Sequence, residues 1–382
     1  MILKLNWQAI CAALFFSAVS LTTRAAVPIP APPDLPVRAH ILVDHDSGRV
    51  LASLNADQRL EPASLTKLMT AYAVFVALRE NRLQLSEEIV ISERAWRAEG
   101  SRSFVEVGKR IPAEVLLKGM IVQSGNDASI ALAERVGGSE QAFATMMNEY
   151  ARRLGMANSH FVNATGLPDP ALYVTARDMA TLSRAMIREF PQYYKWYSLR
   201  EFGWNGISQP NRNGLLTRDP TVDGIKTGHT DSAGYCLVSS ALRNRMRLIS
   251  VVLGTPSIKA REDASAALIN YGYTFFETVK VHTAGDVILK PRVYKGASAA
   301  TAAVLRQNLF ATVGRGEGVK VTASASVREP LIAPLPANVA IGELTVRDGA
   351  DVVARVPLFP VKAIAAGGWW TRISDSVSLW FR

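Results

Sequence analysis

A serine and a lysine lie three residues apart in the segment EPASLTKLMTAYAVF, which spans residues 61–75. The apolar run after them predicts a helix, and side chains three positions apart on a helix share one face. Lys67 could therefore take the proton of Ser64 and leave the serine oxygen as a nucleophile. An ordinary lysine has a pKa of about 10.4, so this role requires burial or a nearby positive charge. Taken alone, the pattern is more typical of a serine that caps a helix and a lysine that faces solvent.

Two further triplets follow Ser64 in the chain and change that interpretation. Ser124-Gly125-Asn126 stands where a helix is predicted to start, and Lys226-Thr227-Gly228 lies on a predicted strand. A second buried lysine could supply the positive charge that keeps Lys67 neutral. The simpler alternatives are a helix cap at Asn126 and a solvated lysine at the edge of a sheet. In this order, the three motifs together favour a nucleophilic serine site.

The segments that would position these motifs form a mixed helix and strand pattern. Residues 39–54 alternate around Asp46-Ser47-Gly48, which predicts a β-hairpin. The middle of the chain is predicted to be mostly helical, with Gly155 ending one helix and Thr175 capping another. From residue 221 the segments VDGIKTGHT, GYCLVSSAL and MRLISVVLG predict strands, and a helix is expected over 260–276. Residues 38–276 are therefore predicted to form one domain.

The last hundred residues differ in character. Short alternating segments over 277–360, with a hairpin at Asp348-Gly349, predict a separate all-β domain. Residues 361–382 follow, and AIAAGGWWTRISDSVSLWFR within them predicts an amphipathic helix with tryptophans on its apolar face. Such a face suits the headgroup boundary of a lipid bilayer, and the stretch is too polar to span one. The alternative is a helix that packs on the β domain.

The N-terminus predicts export. Residues 1–25 combine Lys4, a short apolar stretch and small residues before a cut after Ala25, which is typical of a secretory signal peptide. The proline-rich residues 26–37 then form a spacer. Cleavage would leave Cys236 as the one cysteine, which excludes an intrachain disulfide and is typical of a buried small hydrophobic residue.

Composition narrows the class of protein. A chain of 382 residues with 48% hydrophobic content can bury a large core and is not a disordered chain. A net charge of +10 suits an anionic partner, such as a nucleic acid, a phospholipid surface or an acidic cell-wall polymer. Export and the lack of a recognised motif argue against nucleic acid. The five histidines show no His-Glu-x-x-His spacing, so a zinc peptidase is not predicted.

The three triplets, together with ASLTKLMTAY, SGNDASIALAE, QPNRNGLL and DGIKTGHTDSAGYCLVSSA, resemble the low-molecular-mass penicillin-binding proteins, the D-alanyl-D-alanine carboxypeptidases. The resemblance covers nearly the whole mature chain. It implies an α+β fold: a penicillin-binding or β-lactamase-like domain of antiparallel sheet packed with helices, a small all-β domain and a C-terminal amphipathic helix. It also implies peptidoglycan stem pentapeptides as substrate, β-lactams as covalent inhibitors, no cofactor and no metal. The place of action would be the periplasmic face of the bacterial inner membrane, with peripheral anchoring by the C-terminal helix.

The resemblance also implies a role for each site residue. Ser64 is the nucleophile, Lys67 the general base and Ser124 the proton relay to the departing amine. The substrate-binding residues are Asn126, Arg212, Lys226, Thr227, Gly228 and His229, with Arg261 a weaker candidate for which a surface ion pair is the favoured interpretation. The backbone N–H groups of Ser64 and His229 are expected to form the oxyanion hole.

Several other functions remain as alternatives. A serine β-lactamase would need a glutamate for deacylation, and Glu201 with Asn205 has a similar spacing but lies only about 25 residues before Lys226. A D,D-endopeptidase of the same fold generally lacks the downstream β domain and tail. A non-catalytic wall-binding protein would keep the pocket without turnover, and the intact Ser64, Lys67 and Lys226 argue against it.

Overall fold

The computed structural model describes residues 29–381. The predicted signal peptide, residues 1–25, and the first residues of the spacer lie outside this range. The N-terminal part contains, in chain order, β1 (Ala39–Asp44), β2 (Val50–Leu54), α1 (Lys67–Arg79), β3 (Glu88–Val90), α2 (Glu93–Trp96), β4 (Arg110–Pro112), α3 (Ala113–Lys118), α4 (Asn126–Gly137), α5 (Glu140–Leu154), α6 (Ala176–Glu189), α7 (Pro191–Tyr194), β5 (Glu201–Trp204), β6 (Ile207–Pro210), α8 (Leu215–Arg218), β7 (Val222–Thr230), β8 (Gly234–Arg243), β9 (Met246–Thr255) and α9 (Ile258–Phe275).

The C-terminal part is built of strands and one final helix. It contains β10 (Phe276–His282), β11 (Val287–Leu289), β12 (Val293–Tyr294), β13 (Ala303–Val304), β14 (Leu309–Gly314), β15 (Val321–Val327), β16 (Leu331–Ile332), β17 (Gly342–Asp348), β18 (Asp351–Pro360) and α10 (Trp369–Trp380). Short 3₁₀ turns lie at Ala63–Thr66, Lys195–Ser198 and Gly318–Lys320, and a π-helical turn lies at Gly119–Gln123.

The central sheet of the first domain is antiparallel, with strand order β2-β1-β9-β8-β7. The predicted hairpin over 39–54 is confirmed by the pairing of β1 with β2, and the strand carrying the Lys226 triplet is β7. Because β7 is the last strand in this order, one of its edges is free to form the wall of a site. The sheet position of β7 therefore explains how a strand can be both well anchored and accessible.

Helices cover both faces of this sheet. Alternate residues of β1 enter different cores: Ile41 packs with the helical side, and Leu42 packs with the side that α9 covers. Helix α1 is buried on every side from Lys67 to Leu78, as expected for a helix that is apolar all round. Lys67 is thereby carried into the protein interior on a central helix.

The ends of the surrounding helices follow their predicted signals. The Thr175 side chain accepts a hydrogen bond from the Asp178 N–H at the start of α6, which confirms the predicted cap. Helix α5 ends at Gly155, whose φ of +79° is the left-handed conformation that glycine adopts most readily. These caps fix the helices that pack behind the site.

The C-terminal part is an all-β domain with its own core. Its largest sheet has the order β11-β13-β18-β17-β15, and the predicted turn at Asp348-Gly349 joins β17 to β18. Two further strand pairs, β10 with β14 and β12 with β16, complete the domain. The α+β fold class predicted from the sequence is confirmed by this arrangement.

One strand pair departs from the expectation of a mostly helical middle region. Strands β5 and β6 form a hairpin around Asn205 and Gly206, which both have positive φ values of +49° and +74°. An Asn-Gly pair is the residue combination that this tight turn favours. The signal was therefore present in the sequence, within the segment that was compared with the β-lactamase glutamate loop.

Helix α10 contacts the β domain through its polar face. The Asp375 carboxylate is buried and accepts hydrogen bonds from the Arg292 guanidinium at 3.2 Å and from the Lys295 backbone N–H at 2.5 Å. The large apolar side chains of the helix point away from the β domain. Each of them is at least half exposed: Trp369, Trp370, Ile373, Val377 and Trp380. The helix therefore packs on the β domain, as the alternative expected, but through its polar face. Within residues 29–381, none of the helices has the length and apolarity to cross a membrane.

Candidate active site

Ser64 lies in a tight turn just before helix α1. The 3₁₀ turn Ala63–Thr66 leads directly into the helix, and Thr66, not Ser64, occupies the helix-cap position. Ala63 has a φ of +47°, a conformation that costs free energy for a residue with a Cβ atom. The turn holds Ser64 at the wall of a cavity, while Lys67 begins the helix beneath it.

Lys67 is buried beside the serine. Its side chain is 1% exposed, and its Nζ lies 2.9 Å from Ser64 Oγ and 2.6 Å from the Thr165 carbonyl oxygen. Burial lowers the pKa of Lys67 to about 7, and the positive charge of Arg212 contributes in the same direction. Near neutral pH, a large fraction of this amine is therefore uncharged and able to accept a proton.

A short loop, residues 163–167, supplies the carbonyl group that orients the amine. The Asn163 side chain accepts hydrogen bonds from the backbone N–H groups of Thr165 and Gly166, and Thr70 Oγ1 donates to the Ala164 carbonyl at 2.8 Å. The buried Glu140 carboxylate accepts from the Ala164 N–H at 3.0 Å. The sequence analysis did not identify this loop, since its contribution is a backbone atom.

Gly166 lets the loop approach the serine turn closely. Its φ is +84°, and a Cβ atom built there would lie 1.8 Å from the Ala63 carbonyl oxygen. No side chain fits in that space without moving the turn. Gly166 therefore fixes the distance between the carbonyl of Thr165 and the turn that carries Ser64.

The second triplet follows the π-helical turn at the end of α3. Ser124 adopts the left-handed conformation with a φ of +66°, and its side chain lines the cavity. Among residues 29–381, its buried hydroxyl has no hydrogen-bond partner, which leaves it available to a substrate. Asn126 begins α4, and its Nδ2 donates to the Glu99 carbonyl at 2.5 Å, so one of its two N–H bonds is already used.

Asp127 was missed by the sequence analysis although it follows the triplet directly. Its buried carboxylate accepts hydrogen bonds from the backbone N–H groups of Ser103, Val105 and Ala128. The first two belong to the loop over residues 99–105, whose Gly100 and Ser101 line the cavity. Asp127 therefore ties the wall of the cavity to the helix that carries Asn126.

Lys226 lies on the edge strand β7 and is also buried. Its Nζ donates to the Thr227 carbonyl at 3.0 Å. Burial and the charges of Lys67, Arg212 and Arg261 hold the pKa of Lys226 well below its ordinary value. Lys226 was expected to supply the charge that lowers the pKa of Lys67. The causes found for Lys67 are instead its own burial and the Arg212 guanidinium.

The rest of the third triplet packs against the serine turn. A Cβ atom at Gly228 would lie 2.9 Å from the Pro62 carbonyl and 3.3 Å from Leu65, so the strand can approach the turn only with glycine there. The close approach that Gly228 permits is therefore between β7 and the turn of Ser64. Thr227 lines the cavity, and the His229 ring stacks on Tyr235 with 3.9 Å between ring centres.

Two arginines complete the positive side of the cavity. The Arg212 side chain lines the cavity, and partial desolvation lowers its pKa. Arg261 is 5% exposed, lines the same cavity and donates to the carbonyls of Gly228 and Arg212 at 3.5 and 3.3 Å. The favoured interpretation of Arg261 as a surface ion pair is therefore wrong, because its partners are backbone carbonyls inside the site.

The cavity itself has a volume of about 710 Å³. It is bounded by Ser64, Gly100, Ser101, Ser124, Arg212, Thr227, Gly228, His229, Tyr235, Ile258 and Arg261. Of these described lining residues, none carries a carboxylate, and two carry a guanidinium. The site therefore combines a nucleophile, a buried amine and a positive field that favours an anionic ligand.

Comparison with known proteins agrees with this geometry. Residues 26–257 match the family described as D-alanyl-D-alanine carboxypeptidase, peptidase S11, and residues 276–366 match the C-terminal domain of penicillin-binding protein 5. The chain belongs to the peptidase S11 family. The match to the S11 family ends between β9 and α9. The match to the C-terminal domain of penicillin-binding protein 5 begins at β10, the first strand of the β domain.

Members of the S11 family are similar to this chain over most of its length. D-alanyl-D-alanine carboxypeptidase DacA of Escherichia coli is 37% identical over 98% of this chain and 94% of its own length. Its counterpart in Haemophilus influenzae is 41% identical over 85% of this chain and 84% of its own length. The crystal structure of penicillin binding protein 5 from Haemophilus influenzae superposes with a TM-score of 0.82 at 39% identity, and the match covers 88% of this chain and 99% of that one.

Three other sequence hypotheses can be compared with this S11 site. Glu201 is exposed at the start of β5 and is not among the lining residues of the cavity, so the structure does not bring it to Ser64. Cys236 is buried and free, and burial raises the pKa of its thiol to about 11, which confirms an unreactive core residue. Among the described residues, no group of three potential metal-binding side chains comes together.

Proposed function

We propose that the protein is a serine D,D-carboxypeptidase that removes the terminal D-alanine of peptidoglycan stem pentapeptides. The single observation that carries the proposal is the buried Lys67 amine, 2.9 Å from Ser64 Oγ, with a pKa of about 7. A base of this kind at neutral pH is what a serine needs to act as a nucleophile.

In acylation, Ser64 Oγ attacks the carbonyl carbon of the penultimate D-alanine and passes its proton to Lys67. The developing oxyanion would be held by the backbone N–H groups of Ser64 and His229, since the strand of His229 packs against the serine turn through Gly228. Ser124 would relay the proton from Lys67 to the departing amine, because its hydroxyl lines the cavity and has no partner among the described residues. The bond between the two D-alanines breaks and an ester on Ser64 forms.

In deacylation, a water molecule attacks the ester carbon, the bond from that carbon to Ser64 Oγ breaks and the shortened peptide leaves as a carboxylic acid, while a proton from the water restores the Ser64 hydroxyl. Since none of the described lining residues is a carboxylate, the same buried amine and the Ser124 hydroxyl are the groups placed to assist that step. This distinguishes the proposal from a β-lactamase, which relies on a glutamate for the attack of water.

The free carboxylate of the substrate would be held by the positive end of the cavity. Arg212 and the Thr227 hydroxyl line the cavity together, and a guanidinium binds a carboxylate through two parallel hydrogen bonds. Lys226, buried behind Thr227, would add to the positive field, and Asn126 would offer its remaining N–H bond to a peptide carbonyl.

A β-lactam would acylate the same serine. A crystal structure of penicillin-binding protein D2 from Listeria monocytogenes is described as the ampicillin-bound form, and it superposes on 64% of this chain with a TM-score of 0.59 at 30% identity. A β-lactam carries a strained amide next to a carboxylate, so it presents to Ser64 and Arg212 the same groups as the peptide terminus.

The decisive experiment measures D-alanine release from a pentapeptide by the purified protein without residues 1–25. We expect release of one D-alanine per peptide and covalent labelling by a fluorescent penicillin, and we expect Ser64→Ala to abolish both. Cleavage of cross-linked dimers with no release from pentapeptides would indicate an endopeptidase. Labelling without any release would indicate a binding protein and contradict the proposal.

Export to the periplasm and peripheral binding to the inner membrane are a second part of the proposal. Export is supported by the predicted signal peptide in residues 1–25. Peripheral binding is supported by the exposed apolar face of α10, in which Trp369 and Trp370 stack at 3.8 Å between ring centres and are 62% and 68% exposed. An amphipathic helix with aromatic residues on its apolar face binds at the bilayer surface. Because Asp375 fixes the opposite face to the β domain, the membrane would meet the protein through that domain.

Deleting residues 363–382 tests the anchor. We expect the truncated protein to keep its activity on pentapeptides and to lose sedimentation with liposomes. Asp375→Asn provides a control in which the apolar face remains. Binding that is undiminished after the deletion would contradict the anchor and leave the enzymatic proposal intact.

A further inference from the structure

A second cleft shares the loop over residues 99–105 with the catalytic cavity, since Ser101 lines the cavity and Phe104 lines the cleft. It has a volume of about 180 Å³ and is lined by two aromatic rings, Phe104 and Trp204, and by the polar side chains Glu106, Lys109, Arg110 and Asn205. We name it the hairpin cleft, because Trp204 and Asn205 belong to the β5–β6 hairpin. The chemistry proposed above does not use it.

The two rings are presented to solvent although they are large and apolar. Phe104 is 46% exposed, and its φ of +58° is a conformation that residues with a Cβ atom rarely adopt. Trp204 is half-buried and has the hydrophobic core behind it. An exposed phenylalanine on a strained backbone, close to a half-buried tryptophan in the same cleft, is more typical of a binding surface than of a surface loop.

Polar contacts hold the lining of the hairpin cleft in place. Asn205 Nδ2 donates to the Glu106 carboxylate at 3.2 Å, and Gln209 Nε2 donates to the Arg102 carbonyl at 3.4 Å. The hairpin is also joined to the catalytic motif, because Gln123, next to Ser124, donates to the Pro210 carbonyl at 2.7 Å. The cleft therefore keeps a fixed position relative to the nucleophile.

The distance between the cleft and the cavity suits the proposed substrate. Ser101 lines the cavity and Phe104 lines the cleft, and three residues of chain separate their Cα atoms by at most about 11 Å. The stem peptide has four residues between the bond that breaks and the lactyl group of the sugar, an extended length of about 14 Å. A sugar attached to a bound stem peptide can therefore reach the cleft.

The chemistry of the lining also fits that sugar. The C–H groups on the face of a pyranose ring carry a small positive charge and stack on the electron-rich face of a tryptophan ring. Hydroxyl and acetamido groups at the ring edge can bond to Glu106 and Asn205. Lys109 and Arg110 take no part in the ion pairs found within residues 29–381, so they can face the free carboxylate of the D-glutamate, the second residue of the stem.

We propose that the hairpin cleft binds the N-acetylmuramyl sugar of the strand whose stem peptide occupies the catalytic cavity. This inference rests on the proposed function, and it adds a recognition of glycan to the recognition of the peptide terminus. The protein would then prefer sugar-bearing substrate over the same peptide in free form.

The test compares D-alanine release from a pentapeptide with release from the same pentapeptide carrying N-acetylmuramic acid. For the parent protein we expect kcat/KM to be about tenfold higher with the sugar, mainly through a lower KM. Trp204→Ala and Phe104→Ala should each remove most of this advantage and leave kcat/KM for the free pentapeptide unchanged. Trp204→Phe should retain part of it, since a smaller ring remains.

Matched controls exist in the same domain. Trp96→Ala and Val107→Ala remove exposed apolar side chains that line neither the cleft nor the cavity, so both should keep the full preference for the sugar. The rate of labelling by a fluorescent penicillin should be unchanged in every variant, which shows that the serine site is intact. Equal kcat/KM for the two substrates in the parent protein, or equal losses for both substrates in Trp204→Ala, would overturn the proposal.

A binding measurement separates this proposal from the enzymatic one. We expect N-acetylmuramyl-L-alanyl-D-glutamate to quench tryptophan fluorescence in the parent protein and much less in Trp204→Ala, even in the Ser64→Ala background. If neither peptide substrate releases D-alanine but the quenching persists, the cleft binds its ligand and the proposed reaction is wrong. If D-alanine is released and no quenching occurs, the reaction holds and the cleft proposal fails.

Discussion

The protonation of one lysine sets the pH range in which the serine can react. Burial lowers the pKa of Lys67 to about 7, and the amine accepts the serine proton only in its neutral form. Below this pKa the charged fraction grows, so we expect the rate of acylation by a fluorescent penicillin to fall about tenfold per pH unit. Above it the rate should level off. A profile that stays flat down to pH 5 would contradict the role of Lys67 as the base.

Arg212→Gln gives this prediction a second readout. The Arg212 charge lowers the pKa of Lys67, so its removal should raise that pKa and move the midpoint of the profile to higher pH. The position of the midpoint is informative even though the variant also binds carboxylates less tightly. Arg218→Gln is the control, because Arg218 is paired with Glu262 and Asp263 outside the cavity and should leave the midpoint unchanged.

The residues that carry the proposed chemistry were identified because three motifs together resemble one family, since the spacing of Ser64 and Lys67 alone is more typical of a capping serine and a solvent-facing lysine. Ser64, Lys67, Ser124 and the triplet at Lys226 stand out because few other functions require a hydroxyl and two lysines in this order. Asp127 and Glu140 were missed, because each acts by accepting hydrogen bonds from backbone groups far away in the chain. The burial of Arg261 was missed for a similar reason, since its partners are carbonyls that only the folded chain brings together.

At the scale of elements, the loop over residues 163–167 packs against the serine turn with no free space between them. Gly166→Ala would place a methyl group 1.8 Å from the Ala63 carbonyl oxygen at a φ of +84°. We expect the turn to move, the acylation rate to fall by at least about 100-fold, and the free energy of unfolding to fall by about 3 kcal/mol. Urea unfolding and penicillin labelling would measure the two effects.

Gly155→Ala is the matched control for this change. Gly155 has a φ of +79°, but a Cβ atom there would meet no atom within 4 Å. The control therefore carries the backbone cost of about 1 kcal/mol without the collision, and its acylation rate should equal that of the parent. If both variants label at the parent rate, the packing of residues 163–167 against the turn does not position Ser64.

Most elements could be predicted from local patterns, and the exceptions share a physical cause. The hairpin of β1 and β2, the cap at Thr175 and the turn at Asp348-Gly349 follow from nearby residues, and the structure contains all three. The β5–β6 hairpin carries a clear turn signal at Asn205-Gly206, but its strands are four residues long and largely exposed, so their periodicity is weak. The order of the central sheet depends on contacts between distant segments and was not predicted.

At the scale of the whole molecule, a buried polar contact joins the two domains. The Asp44 carboxylate in β1 is fully buried and accepts hydrogen bonds from the Ser47 hydroxyl and from the Thr278 hydroxyl in β10, both at 2.8 Å. The Thr312 hydroxyl lies 2.6 Å from Ser47 Oγ and 2.9 Å from Thr278 Oγ1. This contact is at β1, whereas the Lys226 triplet of the site lies on β7, three strands away and therefore about 14 Å across the sheet.

This separation leads to a prediction in which stability and activity respond differently. Thr278→Val keeps the shape of the side chain but removes one of the donors to a buried carboxylate, so the free energy of unfolding should fall by about 2 kcal/mol. The value of kcat/KM for pentapeptide should not change, because the contact between the two domains lies on the side of the sheet away from β7. Thr322→Val, the same substitution at an exposed position of β15, should alter stability by less than about 0.5 kcal/mol. A loss of activity in Thr278→Val at temperatures where the protein remains folded would show instead that the β domain influences the catalytic cavity through β1.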